Sequence, residues 1–571
     1  MSDNIVIIGA VAVGPKAGCR YKRLRQDGHV TLIDQDEIIS YGGCGIPYFI
    51  SGDVSDESEL RSTSFHMVRD ERFFEEDKGV KALPATKALK IDRESKTVRI
   101  QDRNGNESDL SYDKLVIGVG TQPRELNIPG TSLKNIYKVG NLHDAMMIKQ
   151  MVTSGKVEKA VVIGGGFIGL EMAEALADMW QIETSVVEYC DQIMPGFVSK
   201  NLSRMAQRRM EEEGVSFYLD ESVEAIEGSE SVERVRTNKR TIEADLVIMA
   251  VGIGPNTELA QAAGLEVAPG GFLVVNDHMQ TSDPDIYAGG DCVQIKNLIT
   301  GKPGYFPLGS MANRQGRVIG TNMAGGDAVF KGAVGSFVVK TFDMALAGAG
   351  LSVQTALKEG FDAVGIQVAQ FDRAHFYPEK EIIYLELVVD LKTRQVLGIQ
   401  GFGGENSGMF ARVNAVASIL QYHPTVDAVS NLELAYSPPF ASAMDIINAL
   451  GNAAENFLDG RYQPMEQDEF EECWKNRDKK ECVYLDCRAQ ADAKVFEEKY
   501  PDIWKSIPHN ELAQRMDEEP KDKKLILVCN TGVRSYEAQI NLKEHGFEDT
   551  VSVGAGVASL KQYGMDFDTD K

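Results

Sequence analysis

Cysteine is scarce in this chain, with eight in 571 residues, too thin a spread for a disulfide scaffold. No two stand as Cys-x-x-Cys, so neither a zinc ribbon nor a thioredoxin-type dithiol is indicated, and no metal site is expected. Positive charge is also short: 60 Lys and Arg against 85 Asp and Glu leave a formal charge of −25. That balance argues against nucleic acid or an anionic membrane as a general partner, while leaving room for a local basic pocket. No apolar run approaches the roughly 20 residues that span a bilayer. Met1-Ser2-Asp3-Asn4 leads straight into an apolar strand with no basic stretch or cleavage site, so no signal peptide is expected and the expected compartment is the cytoplasm.

What is present is ordinary for a globular protein: 43% apolar and 25% charged residues, over a length that suits about three to five domains. Six of the cysteines, Cys19, Cys190, Cys292, Cys473, Cys482 and Cys487, read most simply as buried small hydrophobes. Cys44 and Cys529 differ. Cys44 lies in Ser40-Tyr41-Gly42-Gly43-Cys44-Gly45-Ile46-Pro47, and Cys529 opens Cys529-Asn530-Thr531-Gly532-Val533-Arg534-Ser535 after the apolar run Leu525–Val528.

Two nucleotide-binding patterns precede and follow Cys44. In the first, Ile5-Val6-Ile7-Ile8 runs into Gly9-Ala10-Val11-Ala12-Val13-Gly14, a helix-like stretch, and a strand Val30–Ile33 ending at Asp34. Helix N-terminal amides there receive a pyrophosphate, and the acid binds ribose hydroxyls. Val11 fills the middle glycine position, so this fingerprint alone is weak. The second is complete: Ala160–Ile163, then Gly164-Gly165-Gly166-Phe167-Ile168-Gly169, then Thr184–Val187 ending at Glu188. A carboxylate at Glu188 bonds a free 2′-hydroxyl and repels a 2′-phosphate, favouring NADH over NADPH.

Three further segments complete the pattern: Leu115–Ile117 followed by Gly118-Val119-Gly120-Thr121, Leu246–Val251 ending at Gly252, and Tyr287-Ala288-Gly289-Gly290-Asp291. In this order the motifs over roughly residues 1–450 resemble the flavoprotein disulfide reductases with two dinucleotide-binding domains. The resemblance implies FAD held at Gly9, Val11, Gly14, Asp34, Gly120, Thr121, Gly290 and Asp291, and NADH at Gly164, Gly166, Gly169, Glu188 and Gly252.

Most relatives in that superfamily carry a Cys-x-x-x-x-Cys pair, whereas Cys44 has no second cysteine near it. A single thiolate must cycle through a mixed disulfide, persulfide or sulfenic acid. Single-cysteine relatives divide into NADH oxidases and peroxidases, which place a histidine where this chain has Ala12, and coenzyme A-disulfide or persulfide reductases. The second branch is the more similar. It implies a homodimer in which Tyr377 and Tyr436 reach the partner subunit's reactive cysteine, with coenzyme A contacts at Lys16, Arg20, Arg23 and Ser40. Two departures count against coenzyme A: Met444 stands where the family often has lysine, and Gly403–Arg412 has lost most of a basic segment.

The last 105 or so residues resemble a rhodanese domain. Four residues separate Cys529 from Arg534; phosphatases using similar loops have one more, to make room for a phosphoryl group, so this loop suits sulfane sulfur. Its amides and the following helix N-terminus form an anion nest that favours a thiolate or persulfide.

The expected fold class is therefore α/β. It comprises an FAD-binding Rossmann-like domain (1–125 and 253–325), an NADH-binding one (126–252), an α+β dimerisation domain (326–450), a linker (451–465) and a fused α/β rhodanese domain (466–571). The expected activity is NADH-dependent reduction of coenzyme A-disulfide, coenzyme A-persulfide or polysulfide. Two alternatives stay open, an NADH oxidase or peroxidase with a sulfur-sensing domain, and a redox-responsive sulfur carrier.

Overall fold

The structure, a computed structural model, describes residues 3–565. Met1 and Ser2 of the N-terminal reading, and residues 566–571 of the rhodanese-like stretch, lie outside the described residues. The chain forms two units, one running to Asp191 and resuming over Gly214–Ala333, the other made of Gln192–Glu213 and Val334 onward.

In the first unit, β1 (Asn4–Ile8) buries four successive residues, Ile5 to Ile8, as a strand covered on both faces must. It pairs in parallel with β2 (His29–Ile33) and with Lys114–Ile117. Lys81–Leu83 and Ile286–Ala288 complete a five-stranded parallel sheet. Between β1 and β2, α1 (Val13–Leu24) buries Val13, Ala17 and Tyr21, one face at the helical repeat. A short helix, α2 (Ile46–Ser51), follows Cys44. The same βαβ plan recurs in β3 (Lys159–Ile163), α3 (Phe167–Ala177) and β4 (Glu183–Val187), again at the centre of a five-stranded parallel sheet. The chain then returns to the first half of the unit through α4 (Gly309–Met323).

The second unit joins two sheets of different kinds. An antiparallel sheet runs in the order Phe337–Thr341, Met344–Gly350, Val396–Gly404, Ile382–Asp390, Ala363–Phe371. It is packed by α5 (Met409–Leu420) and α6 (Ile446–Leu458). A five-stranded parallel sheet follows, with β5 (Cys482–Asp486) and β6 (Lys524–Val528) adjacent near its centre. Apolar clusters cover its two faces, one around Tyr484 and Trp504, the other around Leu485, Leu527 and Leu542. After β6 come α7 (Val533–Glu544) and α8 (Gly556–Tyr563).

Two stretches differ from the sequence reading. The 451–465 connection is helical through Leu458, because Ile446, Ile447, Leu450 and Ala454 form a buried stripe that the polar residues between them conceal. Residues 192–213, inside the expected NADH-binding stretch, group with the second unit. There the helix Lys200–Glu212 buries Leu202, Met205, Ala206 and Met210, and Ser199 N–H donates to Gln400 Oε1 at 2.7 Å.

Candidate redox centres at Cys44 and Cys529

The two glycine turns are built alike. Gly9 and Gly164 sit at φ +106° and +110°, and a Cβ on either would meet a backbone oxygen, Gly118 O at 2.1 Å or Ala250 O at 2.4 Å. Only glycine fits both demands. Gly14 and Gly169 are equally confined, an added Cβ lying 2.0 Å from Gly9 O or 1.9 Å from Gly164 O, so helix and strand pack at backbone contact. The terminal acids reach back to these turns. Asp34 accepts from Ala10 N at 2.7 Å, and Glu188 accepts from Gly165 N at 2.6 Å and Cys190 N at 2.8 Å. At Gly166 an added Cβ meets nothing within 4 Å, leaving the amide edge open for a pyrophosphate. Val11, at the matching place in the first turn, is partly exposed.

Gly120 and Gly252 both take positive φ, +61° and +98°, and Thr121 begins a short strand paired with Ile253–Pro255. Gly290 N–H donates to Gln315 Oε1 of α4 at 2.7 Å, which fixes the turn bearing Asp291. Burial pushes the Asp291 carboxyl up to about 6. A half-buried acid with no hydrogen-bond donor among the described residues fits a group that brings hydroxyls, as the ribityl chain of FAD does.

Cys44 occupies a short turn, Gly43–Gly45, directly ahead of α2. The C-terminal carbonyls of α2 are claimed by side chains, Lys149 Nζ bonding Phe49 O at 2.6 Å and Trp180 Nε1 bonding Ile50 O at 2.8 Å. This capping fixes the end of α2 away from Cys44. Cys44 is exposed in the polypeptide, yet its sulfur sits in a recess where desolvation first, and Glu171 second, raise the thiol; the Gly309 backbone works in the opposite direction. Gly309 opens α4, and a Cβ there would lie 3.7 Å from Cys44 Sγ, so the positive end of a four-turn helix faces the sulfur. Glu171 is itself pushed up to about 7, by burial and then by Glu174. Neither Gly309 nor Glu171 carries a sequence signal tying it to Cys44.

Of the basic residues on α1, Lys16 and Arg20 face α4, Arg20 Nε donating to Thr321 Oγ1 at 3.0 Å, while Arg23 is exposed and bonds Cys19 O. Ser40 is buried at φ +53°, and its N–H donates to Ala10 O at 2.8 Å.

Tyr377 is half-buried and Tyr436 exposed. Their loops are bound together: Ala374 N–H donates to Pro438 O at 3.2 Å and Ser442 Oγ to Arg373 O at 3.2 Å. At the centre is Arg412, a buried guanidinium that pairs with Asp445 at 3.0 Å and donates to Asp372 O at 2.6 Å and Phe440 O at 3.3 Å. The one cation surviving in Gly403–Arg412 is thus committed to holding the tyrosine loops.

Cys529 follows β6 and is buried. Gly532 N–H donates to its sulfur at 3.1 Å, and Ser535 Oγ lies 3.3 Å away. Gly532, at φ +101°, caps α7, so this sulfur too meets a helix N-terminus. Ser552 Oγ supports Ser535 at 2.9 Å. Arg534 is half-buried at the loop's end. Of the six cysteines expected as buried, only Cys292 and Cys487 are fully so; Cys19, Cys190, Cys473 and Cys482 are partly exposed.

Comparison with known proteins places these centres in a wider group. Residues 3–316 match the family description "Pyridine nucleotide-disulphide oxidoreductase", residues 336–446 its dimerisation domain, and residues 469–559 a rhodanese-like domain. An NAD(P)H coenzyme A polysulfide/persulfide reductase of Pyrococcus horikoshii is 34% identical over 78% of this chain and 97% of its own length. Two solved structures extend over the C-terminal region as well. An NAD-dependent persulfide reductase from A. fulgidus is 38% identical, covers 97% of this chain and 99% of its own, and superposes with a TM-score of 0.91. The reduced CoADR-RHD of Bacillus anthracis is 29% identical, covers 99% and 98%, and has a TM-score of 0.88. With paired dinucleotide turns, a lone cysteine after the first and a dimerisation-domain match later in the chain, the chain belongs to the pyridine nucleotide-disulphide oxidoreductase family.

Proposed function

We propose that the protein is a cytoplasmic, homodimeric NADH:disulfide oxidoreductase that acts on coenzyme A-disulfide, coenzyme A-persulfide or polysulfide through Cys44, with Cys529 loading or accepting sulfane sulfur. The observation that carries this reading is a solitary thiol at the N-terminus of α4, with no second cysteine beside it to form an internal disulfide. The full-length likeness to a persulfide reductase that includes the rhodanese-like region supports it. The domain division follows the sequence reading, except that residues 192–213 group with the second unit and the 451–465 stretch is assigned to the end of the dimerisation domain and the start of the rhodanese domain.

Bound FAD supplies a two-electron relay between NADH and sulfur. The chain's own residues do the rest. Gly9, Gly14 and Asp34 with Gly290 and Asp291 hold the flavin dinucleotide, and Gly164, Gly166, Gly169 and Glu188 hold NADH. Cys44, whose ionised form the N-terminus of α4 supports against desolvation and Glu171, attacks a disulfide or sulfane sulfur as its thiolate and expels a thiolate or hydrosulfide. The phenols of Tyr377 and Tyr436, presented across the dimer, orient the substrate and protonate the departing sulfur. Two electrons originating in NADH would then cleave the S–S bond to the group held on Cys44, which leaves as a second thiolate or hydrosulfide as Cys44 returns to its thiolate. Lys16, Arg20 and Ser40 line the coenzyme A side, with Arg23 at its exposed end.

Mass spectrometry of the purified protein, coupled to NADH oxidation assays, tests this. A mixed disulfide or bare sulfur on Cys44, and NADH consumption with coenzyme A-disulfide or persulfide, are expected. Peroxide turnover faster than persulfide turnover would replace this reading with the oxidase one, and an inability to release sulfide without a second protein would favour a carrier.

A further inference from the structure

Cys487 has a neighbour that its sequence position hides. β5 and β6 run parallel with Asp486 opposite Val528, and the ladder continues one step, Cys487 N–H donating to Val528 O at 2.8 Å. That bond sets Cys487 in register with Cys529. Parallel neighbours lie about 4.7–4.9 Å apart, inside the roughly 4.4–6.8 Å Cα span that a disulfide bridges. Residues in register share a face, and Cys487 packs with Leu485, Leu527, Ala538 and Leu542, the face covered by α7, which carries Ser535. Both thiols are free and buried. The charge of Cys529 acts directly on Cys487, as does that of Arg534 in the opposite sense.

We propose that Cys487 is an internal resolving thiol for Cys529, closing a Cys487–Cys529 disulfide on a Cys529 persulfide and expelling its outer sulfur as hydrosulfide. The inference rests on the proposed loading of Cys529 with sulfane sulfur. The bond that forms joins the two cysteine sulfurs, and the bond that breaks joins Cys529 Sγ to the outer sulfur. The bonding pair leaves with that sulfur, which falls from the sulfane to the sulfide level while the two cysteine sulfurs are oxidised to a disulfide. The Cys487 proton departs on the hydrosulfide, and no NADH is consumed. A small thiol, the class of product released at Cys44, reopens the disulfide by exchange.

The step is built to be slow. Burial, followed by the neighbouring Cys529 charge, raises the Cys487 thiol, so the attacking group is a protonated thiol rather than a thiolate. An acceptor that reaches the Cys529 persulfide takes its sulfur first, and only uncollected sulfur is discharged.

The experiment uses the full-length holoenzyme without NADH, treated briefly with inorganic polysulfide, desalted, and followed by sulfide trapping, intact mass and peptide mapping. The wild type is expected to release about one equivalent of sulfide per chain. The peptides bearing Cys487 and Cys529 should be joined to each other and together about 2 Da lighter than when reduced, apart from any sulfur held on Cys44, and a small thiol should restore them. Cys487→Val should hold Cys529 about 32 Da heavier and release sulfide at least about tenfold more slowly. A wild-type Cys529 adduct that persists, with no Cys487–Cys529 bridge, overturns the inference while leaving the loading of Cys529 intact. Absence of both adduct and sulfide overturns the loading itself, and the inference with it. Mapping the unsubstituted chain decides even where Cys487→Val fails to fold.

Discussion

Cys44 and Cys529 both face the N-terminus of a helix, α4 for one and α7 for the other, and there the likeness ends. Cys44 is exposed, raised by desolvation and by the Glu171 carboxylate. Cys529 is buried and is met by an amide at 3.1 Å and a hydroxyl at 3.3 Å within its own loop and helix. The rhodanese-type centre carries its stabilising donors in seven consecutive residues, Cys529 to Ser535. The flavoprotein-type thiol draws on parts scattered from Gly43 to Gly309, and in the proposed dimer on two tyrosines more. A self-contained nest suits a group that stores sulfur. An open thiol with separately supplied electrostatics suits one that must admit a large substrate and turn over.

The largest expected effect separates the two outright. Cys44→Ser should reduce NADH-driven reduction of coenzyme A-disulfide by at least about a thousandfold, since a hydroxyl neither forms nor releases the mixed disulfide. Cys529→Ser should leave that rate unchanged while lowering persulfide turnover. NADH oxidation at 340 nm with each substrate measures both, and full disulfide reduction in Cys44→Ser would break the contrast.

Arg412→Met probes the scattered character of the first centre. It strands the Asp445 carboxylate, which also caps α6 by accepting from Ile447 N at 3.0 Å, and it releases the two tyrosine loops. Breaking a buried pair in this way costs about 3–5 kcal/mol, a fall in the melting temperature of the second unit of about 10 °C. Below that transition, coenzyme A-disulfide reduction should drop while sulfur loading of Cys529 holds. Equal losses in both would show that the tyrosine loops serve no separate purpose.

How much of this was legible in the sequence follows from how local each determinant is. Gly14 and Gly169 are forced by contacts within their own βαβ units, and Gly9 and Gly164 by their own positive φ as well as by Gly118 O and Ala250 O beyond them, so strand, turn and terminal acid are legible in order. Cys529 was legible for the same reason. Arg412 read as the remnant of a lost basic segment, because its partners Asp372, Phe440 and Asp445 are brought to it only by tertiary packing. The helix Lys200–Glu212 interrupts a nucleotide-binding pattern and packs elsewhere, which no local periodicity announces. Cys487 reads as a buried small hydrophobe and is buried, but its neighbour is set by sheet register between residues 42 positions apart.

The finest test compares the two thiols by what lies beside each sulfur. Glu171→Gln removes the carboxylate that, after desolvation, raises Cys44, so the midpoint of iodoacetamide alkylation against pH should move down at Cys44, while sulfur loading of Cys529 is unchanged. Burial, and then Glu174, push Glu171 up to about 7, so its charge, hence its hold on the thiol, grows as pH rises through that value. The wild-type Cys44 profile should therefore be broader than the variant's. Ser535→Ala acts on the other centre. It removes a hydroxyl that lies 3.3 Å from the Cys529 sulfur and donates to Gly532 O at 3.0 Å. A lost hydrogen bond of about 1 kcal/mol should slow sulfur loading of Cys529, followed by intact mass, about fivefold, while alkylation of Cys44 does not respond. If loading in Ser535→Ala were unchanged, the Gly532 amide alone would support the sulfur, and the two centres would be closer in construction than their surroundings suggest.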